Sequence, residues 1–200
     1  EKETSCPNMT AAVWNLFMSK VNTTLHATME TFNSYTANAV PPGYEIPNGG
    51  VWVTTTAYGY AGTQGLVLHD FDGTQKIVNR IGFAAASTKT FEFKVRIQAF
   101  ATSGGATQFL LKSGTATVFQ MSVWSDGSLH YVYNNVSQNI GAATPNTVPL
   151  NIWKTIKVVA NASTNTAAVY VDGTLIGNAT KVSTGAPTTI NGFTWASGGS

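Results

Sequence analysis

Charge is what this chain has least of: Asp, Glu, Lys and Arg make up 10% of its 200 residues, where a soluble domain ordinarily carries about a quarter. Its 11 basic and 9 acidic side chains leave a net charge of +2. No run of Lys or Arg stands beside aromatics, so the basic stripe that nucleic-acid binding needs is missing and no nucleic-acid partner is expected. Cysteine is nearly absent as well. Cys6 is the single one and cannot close an internal disulfide, which leaves an intermolecular bridge or a free thiol in a tail. No apolar run approaches the roughly 18 residues that span a bilayer as a helix. No basic-then-apolar leader opens the chain, so a signal segment is expected to have been removed.

Thr, Ser, Asn, Ala and Gly take the place of the missing charges, which gives a surface solvated by neutral polar groups. With 43% hydrophobic and 11% aromatic residues in 21.1 kDa, the chain is long enough for one buried core and short for two. The clearest pattern lies in 153–177, WKTIKVVANASTNTAAVYVDGTLIG. Ile156, Val158 and Ala160 alternate with Lys157 and Val159, and Ala167, Val169 and Val171 alternate with Ala168 and Tyr170. That is the period of two strands with one face in the core and one in water. Residues 161–165 form the turn between them, and Asp172-Gly173 turns the chain again, being the pair that suits a tight hairpin. Phe91, Phe93, Val95, Ile97 and Ala99 alternate in the same way with Glu92, Lys94, Arg96 and Gln98. Gln108 to Lys112, Val118 to Trp124 and Leu129 to Tyr133 read as further strands, and Ile190, Phe193 and Trp195 as one near the end.

Residues 1–29 differ from this and are expected to be an N-terminal extension to a domain over 30–200. Trp14, Phe17, Val21, Leu25 and Met29 recur at the spacing of an amphipathic helix. Ala12, Trp14, Leu16 and Met18 equally put four apolar side chains on one face of a strand. Both readings stand.

From Glu30 the chain reads as a short strand around Phe32 and Tyr35, then Pro41-Pro42-Gly43 and Tyr44. Together with TQGLVLHD, KTFEFKVRIQAF and the hairpin above, this resembles the concanavalin A-like, laminin G-like jelly-roll domains over roughly residues 30–198. The resemblance implies an all-β, two-sheet antiparallel jelly-roll sandwich, and it rests on strand patterns rather than on catalytic motifs. Family members normally finish with one more strand that closes the sheet beside the first. Here that strand is expected to be missing.

Catalytic residues are not expected. Glycoside hydrolysis needs two carboxylates converging on one bond, yet most of the nine acidic residues fall in turns or the tail. The Glu-x-Asp-x-x-Glu signature of the family's glucanase branch is absent. Arg96, Gln98, His130 and Tyr131 do not stand in the motifs of its lyase branch. His26, His69 and His130 share no metal spacing. The family's calcium-binding members point to Asp70 and Asp72 as candidate ligands, although both also read as turn formers ahead of Gly73; no other cofactor is implied. A sugar needs an aromatic plate with hydrogen-bonding side chains beside it. Glu92, Lys94, Arg96 and Gln98, flanked by Trp124, Tyr131 and Tyr133, are the candidates for that.

Asn-X-Ser/Thr triplets at Asn8, Asn22, Asn135, Asn161 and Asn178 are candidate glycosylation sites and point to an extracellular or cell-surface address. An unclosed sheet and a spare apolar strand are the two halves of strand exchange. The first expectation is therefore a secreted, glycosylated, non-catalytic subunit that self-associates into a homopolymer through Ala12, Trp14, Leu16 and Met18. The alternative is a module that binds polysaccharide.

Overall fold

The computed structural model describes residues 32–53, 56, 59–68, 75–99, 105–142, 144–180 and 187–197. The expectations for Asn8, Ala12, Trp14, Leu16, Met18, Asn22, Asp70 and Asp72 lie outside them. The described residues hold β1 (Val51–Val53), β2 (Leu66–Leu68), β3 (Ile77–Ala86), β4 (Thr88–Val95), β5 (Gly105–Ser113) and β6 (Ala116–Trp124). They continue with β7 (Leu129–Tyr133), β8 (Val136–Asn139), β9 (Lys154–Asn161), β10 (Thr166–Val171), β11 (Thr174–Thr180) and β12 (Ile190–Ser197). A single 3-10 turn, Tyr60–Gly62, is the only helical element among them.

Every pairing between named strands is antiparallel. One sheet runs β11, β10, β9, β4; a second runs β3, β12, β5, β6, β7, β8; β1 and β2 pair with each other. The two larger sheets face one another as a sandwich. The four-stranded sheet buries Ile156, Val158, Ala160, Ala167, Val169 and Val171, and the six-stranded sheet buries Phe109, Leu111, Phe119, Met121, Val123 and Ile190 against them. Phe93 joins the layers, with its ring 4.8 Å from Phe109 and 4.7 Å from Trp195. Phe91, Phe93 and Val95 are partly buried and Ile97 is buried, as the alternation in that stretch predicts, whereas Ala99, expected on the same face, lies past the end of β4 and is exposed. A second cluster of Tyr44, Val51 and Val78 packs on Phe193 and Trp195.

Tight turns fix the register. Asp172 (φ 49°) and Gly173 (φ 81°) both sit in the left-handed region between the paired Val171 and Thr174, the geometry that matches strand twist in a two-residue hairpin. Asn134 (φ 52°) and Asn135 (φ 59°) do the same between Tyr133 and Val136. Asparagine tolerates this conformation better than other side chains with a Cβ, and it creates the β7–β8 hairpin that the sequence reading passes over. β3 is passed over for another reason: Asn79, Arg80 and Gly82 break its apolar alternation.

Two expectations are corrected. Phe32 to Tyr35 is a turn, not a strand, with the Tyr35 N–H donating to the Phe32 carbonyl at 3.0 Å; Asn33 and Ser34 between them are turn formers. The closing strand is also present. β12 lies inside its sheet, bonded to β3 on one side and β5 on the other, so the place beside the first long strand is filled by Ile190–Ser197. The outer edge of β3 is partly covered as well, because Glu45 and Asn79 exchange both backbone bonds at 3.0 and 2.9 Å.

Candidate functional site

Because β4, β9 and β10 each put one parity of side chains into the core, the other parity forms one continuous outer face on the four-stranded sheet. Glu92, Lys157, Tyr170 and Leu175 stand opposite one another across four strands in a single row. Lys94 and Thr155 make the next row, where Lys94 Nζ donates to Thr155 Oγ1 at 2.9 Å. Beyond that row lie Arg96, just past β4, and Trp153, just before β9.

Tyr60, from the 3-10 turn, completes the group. Its ring meets Trp153 edge to face, with centroids 5.7 Å apart and planes at 81°, and it is 40% exposed. Lys94 Nζ stands 4.2 Å above the Tyr60 ring and Arg96 Cζ stands 5.3 Å above that of Trp153. Lys157 Nζ lies 5.4 Å from the Tyr170 ring. Cations and rings therefore alternate along this end of the face, each contact worth about 0.5–1 kcal/mol where exposed. Lys154 is engaged differently. Its Nζ pairs with Asp172 Oδ2 at 2.8 Å while Asp172 Oδ1 accepts the Thr155 N–H at 2.9 Å. The Lys154 hydrogen bond and then the Thr155 backbone bond hold the Asp172 carboxyl below the ordinary carboxylate range.

The sugar-binding candidates read from the sequence do not all meet. Glu92 and Lys94 are exposed on this face, Arg96 is half-buried beside Trp153, and Gln98 is exposed further along the chain. Trp124, Tyr131 and Tyr133 belong to β6 and β7 in the other sheet. Tyr131 pairs with Met121 and packs against the core. By strand alternation Tyr133 shares its side of β7. Grouping these rings with the outer face of β4 fails because Tyr131 and Tyr133 turn towards the core of their own sheet, and Trp124 lies on the outer face that looks the opposite way.

Trp124 lies on the outer face of the six-stranded sheet, stacked on His130 at 4.3 Å with 20° between the planes. A directed chain of hydrogen bonds fixes that histidine. Asp126 Oδ1 accepts from Ser128 Oγ at 2.5 Å, so Ser128 can only accept from His130 Nε2 at 3.0 Å, and Nδ1 then accepts from Ser137 Oγ at 3.1 Å. Burial lowers the His130 pKa, opposed by the charge of Asp126. The Ser128 side-chain and backbone bonds lower that of Asp126.

Tyr60 and Trp153 are functional candidates that the sequence reading missed. Trp153 was within reach, since it shares parity with Thr155 and Lys157 on the wet face of β9. Tyr60 was not, because nothing periodic surrounds it. Of the candidate glycosylation sites, Asn135 and Asn178 are exposed. Asn161 is half-buried, with Oδ1 accepting the backbone N–H of Ser163 and Thr164 at 3.0 and 3.1 Å. Asn178 lies within β11. Among the described residues no group of three or more His, Cys, Asp or Glu is placed to hold a metal, and no helix is long and apolar enough to cross a membrane.

No protein-family model and no curated protein sequence matches the chain. Its fold does match solved structures. Lectin II from Ulex europaeus superposes over 86% of this chain and 90% of its own with a TM-score of 0.56 at 11% identity. The cellulose-induced protein Cip1 covers 84% and 88% with a TM-score of 0.55 at 14% identity. A sialidase matches over 86% of this chain with a TM-score of 0.56 at 14% identity, of which this chain spans 15%. The domain has a concanavalin A-like jelly-roll fold, as its sequence resemblance implies.

Proposed function

We propose that the domain is a non-catalytic carbohydrate-binding module, and that it binds on the outer face of the four-stranded sheet. The observation that carries this reading is the Tyr60–Trp153 pair with Lys94, Arg96 and Thr155 around it. The apolar face of a sugar ring stacks on an aromatic plate, and its hydroxyls need donors and acceptors within reach of that plate. Edge-to-face packing seats the edge of one ring on one face of the other and leaves the remaining ring faces uncovered by the pair itself. The Lys94 ammonium keeps donors beyond the one it gives to Thr155. A fold shared with a lectin supports the same reading.

Two of the described carboxylates, Asp172 and Asp126, are unsuited to a hydrolytic role. A glycosidase acid must hold its proton near neutral pH, which requires a raised pKa. Asp172 and Asp126 are both shifted the other way by the hydrogen bonds they accept.

An extracellular address, with Asn135, Asn161 and Asn178 as glycan acceptors, belongs to the proposal and rests on the triplets. A head-to-tail filament needs a vacant strand position, and β12 occupies the one expected beside β3. The binding reading is therefore preferred to self-association. Affinity electrophoresis against a panel of soluble polysaccharides tests it, using the intact chain and a Tyr60→Ala/Trp153→Ala variant with an unchanged melting temperature. The expected result is retardation by at least one polysaccharide and a loss of about tenfold or more in affinity in the variant, equivalent to about 1.4 kcal/mol. No retardation by any member of the panel, or equal retardation of both proteins, overturns it.

A further inference from the structure

We infer that N-linked glycans on Asn135 and Asn178 guard the two uncharged edges of the sandwich against pairing with a second copy of the chain. The inference rests on the glycosylated, extracellular part of the reading above and gives two of its acceptor sites a task; it does not depend on which polysaccharide the domain binds. Each of the two larger sheets has two end strands, β3 and β8 in one and β4 and β11 in the other. An end strand presents unpaired backbone groups that template association, and it is ordinarily blunted by charge, proline, a bulge or a covering segment. β3 is covered at Asn79, which pairs with Glu45. β4 carries Lys89, Glu92 and Lys94 among its eight residues, and Lys89, opposite Ala160, has the inward-facing parity that discourages a partner strand.

The other two edges have neither charge nor proline: β8 reads VSQN and β11 reads TLIGNAT. All four residues of β8 are exposed, Val136 at 54%. The Ile140 N–H donates to the Leu129 carbonyl at 3.0 Å, which makes 140 and 129 a bonded pair. Bonded and non-bonded pairs alternate along an antiparallel ladder, so Ser137, opposite Val132, and Asn139, opposite His130, turn their N–H and carbonyl groups out from the edge. β11 is protected over its first half, where Ile176 is the extra residue of a bulge. There Gly141, just past β8, comes so close to Ile176 and Gly177 that neither glycine has room for a Cβ. The same contact puts β8 and β11 on one side of the sandwich. Beyond the bulge, 177–180 return to regular pairing with 166–169, and Asn178 and Thr180 are exposed.

The Asn-X-Ser/Thr triplets stand where the charge is missing. Asn135 is the last residue of the turn into β8, and Asn178 lies in the regular half of β11. Attachment joins Nδ2 of each asparagine to the anomeric carbon of a lipid-linked oligosaccharide diphosphate. The bond from that carbon to the diphosphate oxygen breaks, the lipid diphosphate leaves with the electron pair, and the amide gives up one proton. The product is bulky and hydrated. β8 spans only about 14 Å, so a branched oligosaccharide at its start obstructs a strand approaching its edge. A chain in which 10% of the residues are charged thus replaces charged edge residues with glycans.

The test compares the full chain, secreted from cultured eukaryotic cells, with a variant that lacks both acceptors, Asn135→Gly with Thr180→Val. Glycine suits the left-handed backbone at 135, where φ is 59°, and valine keeps a β-branched shape at an exposed strand position while breaking the triplet. Peptide mass spectrometry reads glycan occupancy. Sedimentation velocity reads association, with reductant present to break any link through Cys6. The expected result is occupancy at both sites, a monomeric wild type, and a variant whose sedimenting mass at least about doubles with rising concentration as its bare edges pair. Adding Val136→Lys and Asn178→Lys to the variant restores the monomer without a glycan, because a charged edge resists pairing. Association caused by unfolding is not relieved in that way. Occupied triplets with a variant that stays monomeric overturn the guarding inference and leave both the glycans and polysaccharide binding in place. Empty triplets at both positions overturn it together with the glycosylated reading. Association that the two lysines do not relieve overturns it as well, by showing that the contact lies elsewhere.

Discussion

On the outer face of the four-stranded sheet, Tyr60 and Trp153 meet at 81° and their faces carry Lys94 and Arg96. On the outer face of the six-stranded sheet, Trp124 lies nearly parallel to His130 at 4.3 Å, and both ring nitrogens of that histidine are engaged by serines. Both sheets thus display aromatic side chains beside polar ones, and the residue types alone do not distinguish them. Ring geometry does. A plate stacked on a neighbour fixed by a hydrogen-bond chain stabilises its own sheet. A plate held edge-on, with a cation above it, leaves a face that a ligand can reach once the cation moves aside. The first arrangement spends its contacts inside the molecule and the second presents them to solvent.

The most drastic way to break the comparison is to remove what joins the sheets. Phe93 projects inward from the same strand that carries Lys94 outward, and it contacts both Phe109 and Trp195 of the opposite sheet. Phe93→Ala is expected to cost about 3 kcal/mol, the low end for truncating a large aromatic because Phe93 is only partly buried. Chemical denaturation measures this. A loss below about 1 kcal/mol, typical of surface changes, would mean that the layers are held without it.

A sharper test exchanges the two tryptophans. Trp124→Ala is expected to lose about 1 to 2 kcal/mol of stability, since it forfeits a stacked partner and half-buried area, and to leave polysaccharide binding within about twofold. Trp153→Ala is expected to do the reverse, weakening binding about tenfold with less effect on the melting temperature. Parallel melting and binding measurements on the two variants decide it. If Trp124→Ala is the one that abolishes binding, the functional face has been assigned to the wrong sheet.

Much of the fold was legible in the sequence, because burial on one side imposes a period of two wherever the alternation is unbroken. β4, β9, β10 and the Asp172-Gly173 turn are of this kind. β3 was hidden by its polar residues, and the β7–β8 hairpin by a turn of two asparagines instead of the expected glycine pair. The place of β12 was hidden for a deeper reason: alternation identifies a strand but not its neighbours, and a strand near the end of the chain can lie in the middle of a sheet. The candidate site was half legible. Lys94 and Arg96 follow from the pattern of β4, but their aromatic companions come from a 3-10 turn and from the approach to β9, which only tertiary structure brings together.

The finest test concerns His130 and has a definite sign. Burial lowers its pKa in the folded protein, so the folded state favours the neutral ring that stacks on Trp124 and accepts from Ser137. In the unfolded chain the ring titrates near its ordinary value of about 6.5. Above that pH both states are neutral and the full stabilisation is present. As pH falls below it, the unfolded chain takes up a proton before the folded one does, and stability declines until the folded pKa is passed. Asp126, the charged group facing the ring, stays a carboxylate through this window because its own pKa is lowered. His130→Gln keeps a hydrogen-bonding side chain but removes the titration. The difference in unfolding free energy between wild type and variant should therefore be constant above about pH 7 and move in the variant's favour as the pH falls below about 6.5. Binding to the opposite face should follow neither change. A constant difference across that range would show that the ring is solvated as freely in the folded chain as in the unfolded one. The six-stranded face would then be no more closed than the four-stranded one.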